Sequence, residues 1–195
     1  MPKSASRLRR SLRYEAARIM ADEGVRDFRI AKEKACSRLG VSTHRSIPTN
    51  LEIENALEEQ LSIFTTNRDV EHKRYLETAL SIMDLVSEYS PKLTGAAVTG
   101  VITSVRPVEV HVFPSTVEEV CVLLCEAEVP YDQFEKRKRF AGKRFENIPG
   151  FEWTVAEVDV ELFCFLPEMP YPPLSLVNGK PIRSVSRKKV RRLLE

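Results

Sequence analysis

Apolar residues in the first 89 positions recur every three or four residues, which is the spacing of one face of an α-helix. Four consecutive amphipathic helices are predicted from this pattern. Gly24 and Gly40 supply the ends of the first two helices, and Asn50 is expected to cap the third. The fourth helix is predicted to end before Pro91, because proline disfavours the helical conformation of the residue that precedes it.

After Pro91 the period falls from 3.6 to two, which predicts β-strands. Strands are expected at 93–99, 108–113, 151–155 and 158–166, with 131–139 as a further strand or extended ribbon. A helix is expected from Val117, a loop at 142–150, and a basic final helix that begins after Ser184–Ser186 and runs to Leu194. The sequence therefore predicts an α+β protein, with a helical bundle over residues 1–90 and a small mixed-sheet domain over residues 91–195.

Composition narrows the class of protein. The 195 residues contain 43% hydrophobic residues and four cysteines without a Cys-x-x-Cys spacing, which is not the pattern of a zinc ribbon or a thioredoxin-like redox site. No run of 18 apolar residues occurs, so no membrane association is expected. The basic, serine-containing N-terminus lacks the apolar stretch of a secretory signal, which leads us to expect a cytoplasmic location.

The formal net charge of +2 is unevenly distributed. Residues 1–13 carry five basic residues and no acid, and residues 180–195 carry seven basic residues and one acid, so that residues 14–179 hold a net charge of −9. Clustered Lys and Arg attract phosphates, which makes RNA a candidate partner for the two basic termini. The alternative is that both termini are ordinary solvated helix faces.

Two predicted strands each place polar side chains on one face. Glu109 and His111 alternate with valines, and Asp159 and Glu161 do the same in the later strand. If these strands are neighbours in register, three carboxylates and an imidazole converge on one patch, which is the kind of group that holds a divalent cation. The alternative is a water-facing side of a sheet.

Two segments are predicted to bind phosphate. Thr99 and Gly100 offer a hydroxyl and a turn that lets a phosphate approach the backbone closely. Lys136, Arg137 and Arg139 belong to a basic stretch interleaved with aromatic residues, a composition suited to phosphate contacts and base stacking. The same stretch also suits an exposed sheet edge protected by lysines.

A Thr-Gly turn, a carboxylate-bearing strand at 108–113, a helix from Val117 and a later acidic strand at 158–167 together resemble the DNA polymerase beta-like nucleotidyltransferase superfamily. With the segments 14–20 and 173–183, the chain also resembles a group of uncharacterised proteobacterial proteins. The resemblance implies a nucleotidyltransferase-like domain. It also implies catalytic carboxylates among Glu109, Asp159 and Glu161, and an Mg²⁺ or Mn²⁺ ion held by Glu109, His111 and Glu161.

The sequence departs from that superfamily where Glu109-Val110-His111 replaces Asp-x-Asp and where Thr99-Gly100 replaces Gly-Ser. Histidine is a poor magnesium ligand, because magnesium prefers hard oxygen donors. Two hypotheses follow from these departures. The chain is a nucleotidyltransferase-like protein that binds a nucleotide, with or without catalysis, or it is a non-catalytic RNA- or protein-binding adaptor that retains the fold.

Overall fold

A computed structural model of the chain describes residues 2–42, 46–64 and 68–195. Over these residues the protein is α+β, as predicted, with seven α-helices and one six-stranded mixed sheet. The helices are α1 (Pro2–Asp22), α2 (Phe28–Arg38), α3 (Asn50–Phe64), α4 (Arg68–Leu85), α5 (Ala96–Thr99), α6 (Val117–Glu126) and α7 (Arg187–Leu194). The strands are β1 (Lys92–Thr94), β2 (Val108–Val112), β3 (Asp132–Arg139), β4 (Phe145–Val155), β5 (Val158–Cys164) and β6 (Val185–Ser186).

The chain divides into two compact units. The first comprises Met1–Arg68 with the short segments Thr103–Arg106 and Leu176–Asn178. Its helices α1, α2 and α3 contribute fully buried apolar side chains at helical spacing, which explains why these segments fold as a bundle. Those side chains are Leu12, Ala16, Ile19, Met20, Ala31, Ala35, Ile53 and Leu57. Among the helices in the described ranges, none has the length and apolar character needed to cross a membrane.

The start of α3 differs from the prediction that Asn50 is its cap. Thr49 and Glu52 form a reciprocal capping box, in which the Glu52 amide donates to Thr49 Oγ1 at 3.2 Å and the Thr49 amide donates to Glu52 Oε2 at 2.7 Å. Asn50 instead uses its side chain to accept a hydrogen bond from Lys32 and to donate one to the Leu176 carbonyl. The prediction that Asn50 caps α3 was wrong. In the Thr-x-x-Glu pair each side chain accepts a hydrogen bond from the backbone amide of the other residue, so two amides at the start of the helix are satisfied at once.

The second unit comprises Asp69–Ile102, Pro107–Ser175 and Gly179–Glu195, so α4 groups with the sheet. The strand order is β3-β4-β5-β2-β1-β6. β2 and β5 are parallel neighbours, and every other neighbouring pair is antiparallel. The sheet is therefore mixed, as predicted, and β3 lies at one edge.

The two faces of the sheet differ in chemistry. One face carries the valines of β2 and the alternating apolar residues of β5, and it packs with α4 and α6 into the main core. The opposite face carries a second, aromatic cluster together with the charged side chains of the strands. The cluster consists of Phe140, Ile148, Phe163 and Phe165, with Phe113, Phe134, Met169 and Tyr171 packed against it.

Two predicted elements are wrong. The expected strand 93–99 is only three residues long in β1, because Gly95 adopts φ +70° and turns the chain into the short helix α5. The expected loop 142–150 is largely the first half of β4, which begins at Phe145 and pairs with the whole of β3. Pro149 and Gly150 do not interrupt β4, because pairing of both residues with β3, and of Gly150 with β5 as well, outweighs their low strand propensity.

The four cysteines are free thiols in contrasting environments. Cys36 and Cys164 are buried, and burial raises the pKa of Cys164 to about 12, whereas Cys125 is exposed and Cys121 partly so. We expect a thiol reagent at about pH 8 to label Cys121 and Cys125 quickly, and the two buried thiols only after unfolding. Counting the thiols labelled before and after adding denaturant checks this. Fast labelling of a third thiol in the folded protein would contradict it, and Cys125→Ser should lower the fast count by one.

Candidate functional site

The parallel pairing of β2 with β5 brings together two of the three carboxylates predicted from the sequence. Glu109 is directly opposite Glu161, and His111 is directly opposite Phe163. Because side chains at matched positions of neighbouring strands share a face, Glu109, His111 and Glu161 all lie on the aromatic side of the sheet. The structure therefore brings these three residues together on one face, at adjacent positions of two adjacent strands.

Asp159 lies near the beginning of β5, two residues before Glu161. The register of the parallel pair starts with Val108 opposite Val160, so Asp159 has no matched residue in β2. Its carboxylate instead accepts a hydrogen bond from Thr154 Oγ1 of β4 at 3.0 Å. Glu161 is thus the carboxylate of β5 that faces Glu109, a choice that the spacing of the sequence leaves open.

Two lysines of the edge strand β3 pair with these carboxylates. Lys138 Nζ is 3.2 Å from Glu109 Oε1, and Lys136 Nζ is 3.0 Å from Glu161 Oε1 and 2.7 Å from Glu152 Oε2. Burial raises the pKa of Glu109, but the charge of Lys138 and a hydrogen bond from His111 outweigh burial and hold that pKa well below its usual range. Glu109 is therefore ionised, and each of the two carboxylates has a lysine of β3 as its partner.

Aromatic rings and a glycine allow β3 to reach this far. Lys136 Nζ lies 4.0 Å from the centre of the Phe134 ring, and Lys138 Nζ lies 3.9 Å from that of Phe163, so both ammonium groups rest on π-faces. Gly150 of β4 is directly opposite Phe134, and the space that a side chain would fill there is occupied by the Phe134 ring. The glycine therefore lets the ring that carries the Lys136 ammonium group lie against the sheet.

His111 is fully buried and does not face an open site. Its Nε2 is 2.8 Å from Glu109 Oε1 and 3.4 Å from Thr94 Oγ1, and its ring packs 4.7 Å from that of Phe165. Burial lowers the pKa of His111, so the ring is neutral near pH 7 and donates its Nε2 proton to Glu109. We assign His111 a positioning role towards Glu109, with Nδ1 having no hydrogen-bond partner among the described residues.

Thr99 and Gly100, predicted to bind phosphate, lie at the end of α5 and not at the end of a strand. The Gly100 amide donates to the Ala96 carbonyl at 2.8 Å, and Thr99 Oγ1 lies 3.4 Å from the same carbonyl oxygen. The chain contains an earlier Thr-Gly pair, Thr94-Gly95, directly after β1. The Thr-Gly pair that lies beside Glu109 is this earlier one.

Thr94 and Gly95 are functional candidates that the sequence reasoning missed. Thr94 is fully buried and its Oγ1 donates to Glu109 Oε1 at 3.0 Å. Gly95 has φ +70°, and a side chain placed there would contact the Glu109 side chain at 3.4 Å. The signal was present in the sequence as a repeated dipeptide, but only the β1–β2 register, which sets Thr94 opposite Glu109, shows which copy is adjacent.

The three basic residues predicted to bind phosphate divide between the two faces of β3. Lys136 points to the acidic face, whereas Arg137 and Arg139 are exposed and, by the alternation of the strand, lie on the opposite face. Only Lys136 of the three thus contributes to the site around Glu109 and Glu161.

The described residues contain no group of three or more His, Cys, Asp or Glu side chains arranged to hold a metal ion. Glu109 and Glu161 supply two oxygen-donor groups, which is the number of carboxylates that Mg²⁺ commonly takes from a protein when phosphates and water complete its shell. The two carboxylates therefore fit a cation that arrives with a phosphate ligand better than one bound by the protein alone.

The site as a whole combines two carboxylates, two lysines and a positioning histidine on one sheet face, with Thr94 and Gly95 beside Glu109. The resemblance to the nucleotidyltransferase superfamily is a prediction from the sequence motifs. Comparison of the chain with protein families, curated proteins and solved structures finds no match.

Proposed function

We propose that the protein binds a nucleoside triphosphate, together with its divalent cation, on the face that carries Glu109 and Glu161, as a nucleotidyltransferase-like protein. The observation that supports this most strongly is the pair of ion contacts from Lys138 to Glu109 and from Lys136 to Glu161. Two lysines and two glutamates are paired on one face of the sheet. The lysines would bind the phosphates of a nucleotide there, and the glutamates would bind its cation.

An exchange of partners explains why such an arrangement suits a nucleotide. A triphosphate attracts Lys136 and Lys138, since ammonium groups bind phosphate oxygens as point charges. Glu109 and Glu161, released from the lysines, would hold the Mg²⁺ or Mn²⁺ ion that accompanies the triphosphate. That ion, when bound, would neutralise part of the negative charge of the phosphates. The two lysines, Glu109 and Glu161 each keep an oppositely charged partner before and after binding, and Glu152, which Lys136 leaves, has a side chain that is nearly half exposed to water, so no charge is left buried alone.

The neighbouring residues hold the acidic group in place during this exchange. Thr94 donates a hydrogen bond to Glu109 through its hydroxyl, and His111 donates one through Nε2. Glu109 therefore keeps two hydrogen bonds when Lys138 moves to a phosphate. Asp159, Thr99 and Gly100 remain predicted members of the wider site, as catalytic carboxylate and phosphate-binding residues.

Calorimetric titration with each nucleoside triphosphate, in Mg²⁺, in Mn²⁺ and in a chelator, tests the proposal. We expect binding with either metal and weaker binding in the chelator. Lys136→Gln should weaken binding about tenfold, because one charge-assisted contact contributes about 1.5 kcal/mol. The matched control is Lys73→Gln, which removes an exposed lysine of α4 and should leave the affinity unchanged.

Absence of heat with both metals would contradict the nucleotide proposal. An equal loss of affinity in the Lys73 and Lys136 variants would also contradict it, because the effect would then be one of overall charge. Thermal unfolding of each variant should be measured in the same buffer. Lys136 is partly exposed, and its replacement is expected to leave the fold intact.

A second candidate is a non-catalytic adaptor that binds RNA through its basic termini or a protein through its helical unit. The position of His111 favours this candidate, because a ring that is fully buried beside Glu109 replaces the second metal-binding carboxylate of the superfamily. A steeply salt-dependent shift with bulk transfer RNA, in a sample without nucleotide turnover, is the result expected for the adaptor.

A further inference from the structure

The outer face of the β3–β4 hairpin carries an exposed aromatic ring between two arginines. Arg139 is directly opposite Phe145 in the strand pair, and the Arg137 guanidinium lies 4.3 Å from the centre of the Phe145 ring. The Phe145 ring is 47% exposed, although it is one of the large apolar side chains that a strand normally buries. Among the described residues, neither Arg137 nor Arg139 has an acidic partner within ion-pair distance.

The remaining groups of this face are polar and basic. Asn147 lies directly opposite Arg137 and is exposed, and the turn that joins the strands adds exposed Lys143 and Arg144, of which Arg144 is paired with Glu146. Glu135 is the acidic residue of β3 on this face, and it lies at the end of the hairpin nearer the sheet. The tip of the hairpin therefore has a positive charge, a stacking ring and one side-chain amide.

We infer that this surface, Arg137, Arg139, Lys143, Phe145 and Asn147, binds single-stranded nucleic acid. Phosphates pair with the arginines and with Lys143, and an unstacked base lies on the Phe145 ring, where base–aromatic stacking needs no particular sequence. The Asn147 amide donates to and accepts from the edge of the stacked base. A duplex lacks a free base face, which makes the single strand the favoured partner.

This surface is separate from the nucleotide site because residues alternate along β3. Lys136 and Lys138 face the acidic side, while Arg137 and Arg139 face outward. The inference does not rest on the nucleotide proposal, and variants of the two sets distinguish them. Phe145→Ala should leave triphosphate binding unchanged, and Lys136→Gln should leave polymer binding unchanged.

Fluorescence anisotropy with a labelled oligouridylate of about 12 nucleotides, the matching oligothymidylate and a duplex of equal length provides the test. We expect the single strands to bind more tightly than the duplex at equal salt. Phe145→Ala should weaken single-strand binding by at least about fivefold, from the loss of one stacked base. In Arg137→Gln/Arg139→Gln, the slope of log affinity against log salt should fall by about 1.4.

Two controls keep the inference falsifiable. Val122→Ala removes an exposed apolar side chain of α6, and Lys188→Gln/Lys189→Gln removes two exposed charges of α7. Val122→Ala is a neutral control, whereas the α7 variant tests the basic C-terminus that the adaptor candidate assigns to RNA. If the hairpin is the binding surface, both keep single-strand affinity within about twofold of wild type. The inference is overturned if the α7 variant loses as much affinity as the hairpin variants, if the duplex binds as tightly as the single strand, or if no oligonucleotide binds. Equal affinities for the RNA and DNA oligonucleotides support recognition by stacking. A higher affinity for one of them indicates an additional contact with the sugar.

Discussion

Replacement of Gly150 by alanine is expected to lower the free energy of unfolding by about 3 kcal/mol, the upper part of the range for overpacking. A Cβ atom at this position would lie 2.5 Å from Phe134 Cζ and 2.4 Å from the Leu162 carbonyl oxygen. The Phe134 ring can rotate away, but the carbonyl belongs to the neighbouring strand β5. Relief of the clash therefore requires that β4 and β5 separate locally.

Urea unfolding followed by the fluorescence of Trp153, which lies on the same strand, measures this effect. Gly40→Ala is the comparator, because Gly40 has a positive φ of +62°, which Gly150 does not, and no heavy atom lies within 4 Å of its missing side chain. Its replacement should cost about 1 kcal/mol from backbone strain alone. If Gly150→Ala unfolds with the wild-type midpoint, the tight approach of the Leu162 carbonyl is not present in solution.

Lys138→Met should lower the free energy of unfolding by about 3 kcal/mol, because it leaves the Glu109 carboxylate in a partly buried position without its cation. Thr94 and His111 still donate hydrogen bonds to that carboxylate, but neither supplies a positive charge. The double variant Glu109→Gln/Lys138→Met should recover most of the loss, since it removes both members of the pair. A double variant that is no more stable than Lys138→Met would contradict the assignment.

The dependence of this effect on pH has a definite sign. In the wild type the pKa of Glu109 is well below its unfolded value of about 4.3, so the pair adds stability above that pH and loses it as the pH falls further. In Lys138→Met the pKa of Glu109 rises, because burial is no longer offset by the lysine. The difference in stability between wild type and variant should therefore shrink as the pH is lowered from 7 to about 4.

The sequence was sufficient to predict the convergence of Glu109, His111 and Glu161, given that their strands are neighbours. Alternation along a strand fixes which side chains share a face, and polar residues alternate with valines in both strands. It could not predict that Lys138 would neutralise Glu109 from 29 residues away, across two intervening strands. That contact depends on the order of strands in the sheet and on the bare backbone at Gly150.

What the sequence analysis missed has related physical causes. Thr94-Gly95 was overlooked because it has the same chemistry as Thr99-Gly100, and only the register of β1 against β2 places it opposite Glu109. The first half of β4 was predicted to be a loop because Pro149 and Gly150 are poor strand formers. Pairing with β3 along this whole half, and with β5 from Gly150 onward, stabilises an extended backbone there regardless of local preference.

The alternation of β3 also limits how the hairpin can vary in length. Deletion of one residue between Gln133 and Lys136 would turn Lys136 and Lys138 towards solvent and the two arginines towards Glu109 and Glu161. Guanidinium groups would then meet the carboxylates, and lysines would replace the arginines beside Phe145. In related chains that keep both surfaces, insertions or deletions within β3 should therefore comprise an even number of residues. Insertions or deletions of an odd number should occur only in the turn after Arg139, where they leave both faces unchanged.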